Sequence, residues 1–127
     1  MRAPVISLAL GFSLCFVAAA AFAQTNAAKF FVGKWYVADA KVCKGGLPPD
    51  GTQGLITYTD KKAFGYENRC DIVRATPKGD RFELQLKCRA EGETSTERET
   101  VELAQGKLKR TTTASGKVFS FTYSRCP

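Results

Sequence analysis

The chain has 127 residues, with 19 Lys and Arg against 12 Asp and Glu for a net charge of +7, five cysteines and no histidine. Without an imidazole, histidine general bases, histidine-activated nucleophiles and histidine metal ligands are excluded, and most zinc catalytic sites go with them. A chain of this size supports one small domain.

Residues 1–23 are expected to be a cleaved signal peptide. Arg2 supplies the positive start, an apolar run follows, and Ala21-Phe22-Ala23 fits the small-x-small cleavage rule with the cut before Gln24. Cys15 follows Leu14 inside that run, unlike a lipoprotein site. Retention as an uncleaved anchor is the alternative, because the run approaches the length that spans a bilayer. Cleavage leaves residues 24–127 as a single β-barrel domain holding Cys43, Cys70, Cys88 and Cys126. An even number in a short exported chain reads as two disulfides, formed in the periplasm or outside the cell. These cysteines lack the close pairs of a zinc finger, so neither metal nor cofactor is expected.

Along the domain, residues 26–31 read as one helical turn delivering Phe30 and Phe31 to the core. Strand character then dominates. Residues 33–38 (GKWYVA) and 55–59 (LITYT) are aromatic and β-branched, and Asp60-Lys61-Lys62 marks a turn. Two strands, residues 63–74 and 81–89, flank a Pro- and Gly-containing turn at residues 76–80. In this hairpin Tyr66, Cys70 and Ile72 share one parity, as do Phe82, Leu84, Leu86 and Cys88, while the alternate positions are polar except for Val73. Period-2 alternation means a sheet with one buried face. Folding about Gly79 sets Ile72 opposite Leu86 and Cys70 opposite Cys88, close enough to bond. Cys43 is then left to join Cys126. A second hairpin, residues 94–103 and 108–113 around Ala104-Gln105-Gly106-Lys107, offers Val101, Leu103 and Leu108 as its few apolar side chains. After Ala114-Ser115-Gly116, Phe119, Phe121 and Tyr123 alternate with polar residues in a last strand over 117–125. The expectation is an all-β fold: a small antiparallel seven- or eight-stranded barrel with one short N-terminal helical turn and two disulfides.

Gly33-Lys34-Trp35-Tyr36 resembles the Gly-x-Trp signature that opens lipocalins and related small barrels. That resemblance implies a barrel-closing Trp35 covered by an Arg near the C-terminus, a place Arg125 can fill. In size the domain is nearer the small eight-stranded barrels of the alkaline-protease-inhibitor family, which have a similar early Trp followed by a Cys. Tyr66-Glu67-Asn68-Arg69-Cys70-Asp71-Ile72, Cys88 and Tyr123-Ser124-Arg125-Cys126 are also similar to small exported proteins of alphaproteobacteria, a group with no activity to carry over.

Residues 44–51, with Lys44, Leu47, Pro48 and Pro49, form the longest stretch without strand character, beside Cys43. A stiff loop next to a disulfide suits a binding surface, because little entropy is lost on docking; a plain connector is the other reading. Glu91, Glu93, Glu97, Glu99 and Glu102 crowd one strand and its approach, and Lys107, Lys109 and Arg110 the next. They can pair across strands or leave a basic patch for an anionic surface such as lipid headgroups. No aromatic–basic motif points to nucleic acid. The glutamates are expected on an outward, solvated strand, and no Gly-x-Ser-x-Gly, P-loop or dinucleotide signature occurs, so an enzyme is not expected. The reading that results is a monomeric exported protein-binding module, such as an inhibitor of a secreted or periplasmic protease or other hydrolase. The alternatives are a small apolar-ligand carrier and a structural envelope protein with no discrete site.

Overall fold

The computed structural model describes residues 28–45 and 51–127. The expected signal peptide, Asn26, Leu47, Pro48 and Pro49 lie outside the described residues. Eight strands run β1 Gly33–Tyr36, β2 Leu55–Tyr58, β3 Lys62–Gly65, β4 Asn68–Lys78, β5 Arg81–Ala90, β6 Glu93–Ala104, β7 Lys107–Ala114 and β8 Lys117–Arg125. Each pairs antiparallel with the next, and β8 returns to β1, closing a barrel in sequence order.

The long hairpin of β4 and β5 has the expected register, with Cys70 opposite Cys88 and Ile72 opposite Leu86. Both disulfides are those expected: Cys70–Cys88, and Cys43–Cys126 with Cα atoms 5.7 Å apart. Three details differ from the sequence reading. The strand expected over residues 63–74 is divided between β3 and β4 by a tight turn in which Gly65 faces Asn68 and Glu67 takes a left-handed φ of 51°. That turn removes Tyr66 from the face of Cys70 and leaves it exposed. The turn expected over residues 76–80 contracts to Gly79-Asp80, since Lys78 pairs with Arg81 and Pro77 with Phe82. Pro77 costs no ladder bond on its other side, because β3 pairs with β4 no further than Asp71. The short helical element, a 3-10 turn, is at Ala40–Lys44, where the Asp39 carboxylate accepts from the Lys41 N–H at 2.9 Å. Near the start, Val32 N–H donates to the Lys29 carbonyl at 3.1 Å, a single turn that places Phe30 and Phe31 against the barrel.

The core fills the interior with Phe31, from the turn before β1, and with alternate residues of the strands: Trp35, Tyr58, Leu84, Leu86, Val101 and Leu108, all almost fully buried. Phe31 meets Tyr58 and Phe82 edge to face, and Phe30 also meets Phe82. Such pairs add to plain burial because ring edges and faces carry opposite partial charge.

Candidate functional site

At the closed end, Trp35 on β1 pairs with Arg125 on β8. The Arg125 guanidinium carbon lies 4.6 Å from the centre of the indole. Arg125 Nη2 also donates to the Phe30 carbonyl at 3.0 Å, and Trp35 Nε1 donates to the Phe31 carbonyl at 2.8 Å. The two side chains thus hold the N-terminal segment as a lid over the barrel base. Gly33, at φ 140°, lets the guanidinium pass: a Cβ there would stand 3.4 Å from Arg125 Nη1 in a conformation side chains rarely adopt. Lys44 is exposed at the end of the 3-10 turn, beside the Cys43–Cys126 disulfide.

The other half of the barrel is built differently. β1 has four residues, and it pairs with β8 only at Trp35 with Arg125 and Tyr36 with Ser124. Residues 117–123 of β8 therefore have no ladder partner on that edge among the described residues. Phe119 and Phe121 share the inward parity of Tyr123, yet they are 44% and 42% exposed, lying beyond the reach of β1 among the described residues. Behind them the interior turns polar. Tyr58 Oη donates to Glu99 Oε1 at 2.6 Å, Arg110 Nε donates to Glu99 Oε2 at 2.8 Å with Nη2 bonding the same oxygen, and Arg110 Nη1 donates to Tyr123 Oη at 3.4 Å. Burial, and next the Glu99 charge, push the Tyr58 phenol well above its ordinary pKa of 10.0, with Arg110 pulling the other way. For Arg110, burial opposes the charge, but the hydrogen bonds and charge of Glu99 outweigh it and raise the pKa further. A cavity of about 220 Å³ opens beside this network, lined among others by Leu55, Ala63, Tyr66, Glu99, Arg110 and Tyr123.

Glu99 corrects the expectation of a wholly outward glutamate row: it is buried, opposite Leu84 on one side and Thr112 on the other. The signal is present in the sequence, since Glu99 shares the parity of Val101, and Arg110 that of Leu108, but in a strand with few apolar residues charge masks the alternation. Glu102 does face out, pairing with Lys109 at 3.5 Å. Cys70, Cys88 and Glu97 bring ligand-type atoms together, but both sulfurs are joined in the disulfide and offer no thiolate. The structure thus unites Trp35 with Arg125 at one end and, at the other, Tyr58, Glu99, Arg110 and Tyr123, which no local sequence pattern groups. Comparison with protein-family models, curated proteins and solved structures finds no match to this chain.

Proposed function

We propose that the chain is an exported protein-binding module that takes an extended segment of a partner along the free edge of β8. The observation that carries this is the conjunction at residues 117–123: a strand edge with no ladder partner among the described residues, whose inward side chains, Phe119 and Phe121, are still partly in water. An unpaired edge offers a row of main-chain donors and acceptors, and a strand added there gains hydrogen bonds along its length while alternate side chains supply specificity. Val118, 67% exposed on the other face of the same strand, extends the apolar surface.

The apolar-carrier reading is less well supported. The closed half is filled by aromatic and aliphatic side chains, and the cavity in the open half is floored by an ion pair and a tyrosine hydroxyl. An apolar ligand would strand those polar groups without water. The partner class is a secreted or periplasmic protein, with hydrolases the first to examine.

A photo-crosslinking residue at Ser120, with one at Lys87 on β5 as reference, tests the proposal in the native envelope. The expected result is one exported protein joined through position 120, lost when Phe119→Asp and Phe121→Asp are combined. Equal adducts from Lys87, or none from Ser120, would overturn it. If the captured protein is a hydrolase whose rate is unchanged by excess module, inhibition is removed and binding remains.

A further inference from the structure

On the solvent side of the long strands lies a groove of about 500 Å³ that owes nothing to the β8 edge. Arg74 on β4 pairs with Gln85 on β5, and Gln85 pairs with Arg98 on β6. The two arginines therefore straddle one amide at the same level of the sheet, two strand spacings or about 10 Å apart at the backbone. At the next level stand Thr76, Glu83, Thr100 and Thr111, again in register.

A break in the ladder puts Arg74 there. Cys70 and Ile72 face inward, so strict alternation would turn Arg74 into the core and Ala75 to water. The register instead shifts between Ile72 and Arg74, with Val73 as the extra residue. Ala75 consequently faces Leu84 and packs on the core, while Arg74 swings out beside Gln85. Re-aiming a side chain is a recurrent use of such bulges, and this one completes the pair of arginines.

Among the described residues the two arginines have no counter-charge in the groove. Glu83 is held by Lys78 at 3.1 Å, and Glu99 faces the interior, bonded to Arg110. Among the described residues no carboxylate lies within salt-bridge distance of Arg74 or Arg98. Guanidinium forks match the oxygens of sulfate, phosphate and carboxylate groups. Between the two arginines stands the Gln85 amide, and below it the threonine hydroxyls flank Glu83, whose charge is met by Lys78. Among the described lining residues none is aromatic, so nucleobases have no stacking platform there, and the one apolar residue among them, Leu84, is 1% exposed and gives an acyl chain nothing to cover.

We infer that this groove binds an acidic glycan, a saccharide chain whose anionic groups reach Arg74 and Arg98 while its hydroxyls meet Gln85 and the threonines. The test is calorimetric titration of the full mature chain with a heparin-derived hexasaccharide at about 0.15 M salt, where long-range charge attraction is largely screened. Arg74→Gln and Arg98→Gln should each weaken binding about tenfold, the equivalent of one charge-assisted contact. Lys61→Gln and Lys117→Gln, which remove the same charge away from the groove, should change it less than about twofold. Both arginines are exposed, so unfolding midpoints of the variants should match the parent. No binding, or equal losses at Lys61 and Lys117, would overturn the site. Equal or tighter binding of tripolyphosphate, or of phosphatidylglycerol vesicles, would overturn the glycan class, because the hydroxyl-matching lining would then contribute nothing.

Discussion

Where β1 meets β8 the inward residues are covered: Trp35 lies under Arg125, the Phe30–Phe31 turn closes over both, and the Cys43–Cys126 disulfide ties the end of β8 to the 3-10 turn. Along residues 117–123 the same sheet has inward side chains in water and a buried ion pair where the closed half has leucine and phenylalanine. The difference originates in strand length. β1, β2 and β3 have four residues each, against 8 to 12 for β4 to β8, so three short strands seal only one end of a wall made by five long ones. The inward side chains are covered where the short strands reach, and partly exposed among the described residues where they do not.

The two disulfides offer the largest effect by which to break this comparison. Cys43–Cys126 closes a separation of 83 residues and Cys70–Cys88 one of 18. On the chain-entropy view their contributions are about 4.5 and about 3 kcal/mol. Replacing Cys43 and Cys126 by serine should therefore lower the denaturant midpoint more than replacing Cys70 and Cys88. The reverse order would mean that the long hairpin, not the closed end, holds the fold.

Next is the buried ion pair. Glu99→Gln leaves the Arg110 guanidinium in the interior without its counter-charge and should cost about 3 kcal/mol. Replacing Glu99 and Arg110 together by leucine should recover most of that loss, because desolvated pairs are commonly no better than packed apolar side chains. Tyr58→Phe should cost less, about 1–3 kcal/mol, for the hydrogen bond lost by Glu99. It also carries a pH signature. The folded phenol titrates above its unfolded value of 10.0, so its contribution is fully present below pH 10.0 and is lost as pH rises toward the folded pKa. Denaturation between about pH 9 and about pH 11 should show a decline in the parent that is shallower in Tyr58→Phe. Identical slopes would place the phenol in contact with water.

How far these features could be read in advance depended on whether alternation was intact. From Cys70 to Ile72, and from Phe82 to Cys88, it is unbroken, and the register of the hairpin and its disulfide followed from counting. Val73, the one apolar residue among the outward positions, was the trace of the bulge, but a lone irregular residue fits a bulge, a turn or an exposed valine equally well. The Tyr66-Glu67 turn left no glycine at its left-handed position, since Glu67 adopts that conformation itself, so no turn residue announced it. Trp35 and Arg125 were legible as a pair only through the resemblance of Gly33-Lys34-Trp35 to the Gly-x-Trp signature, since their pairing across β1 and β8 depends on barrel closure. The pairing of Tyr58 with Glu99 spans 41 residues and depends on barrel closure, which no local pattern encodes.

The smallest effect, at Phe121, separates the halves most directly, because it is read against Phe82, the same residue type facing the same interior. Phe82 and Phe121 both point inward, but Phe82 is 4% exposed and packs against Phe30 and Phe31, whereas Phe121 is 42% exposed and has Tyr123 as its aromatic neighbour. Phe82→Ala should cost about 3–5 kcal/mol, the usual result of emptying a packed core site. Phe121→Ala should cost no more than about 1 kcal/mol, since much of the ring is already in water. Unfolding measured at several protein concentrations reads both. A large, concentration-dependent loss at Phe121 would mean that the open edge is covered by a second copy of the chain in solution, and that the edge proposed to take a partner strand is already occupied. A small, concentration-independent loss together with disappearance of the Ser120 crosslink would mean that the ring serves recognition while Phe82 serves the fold.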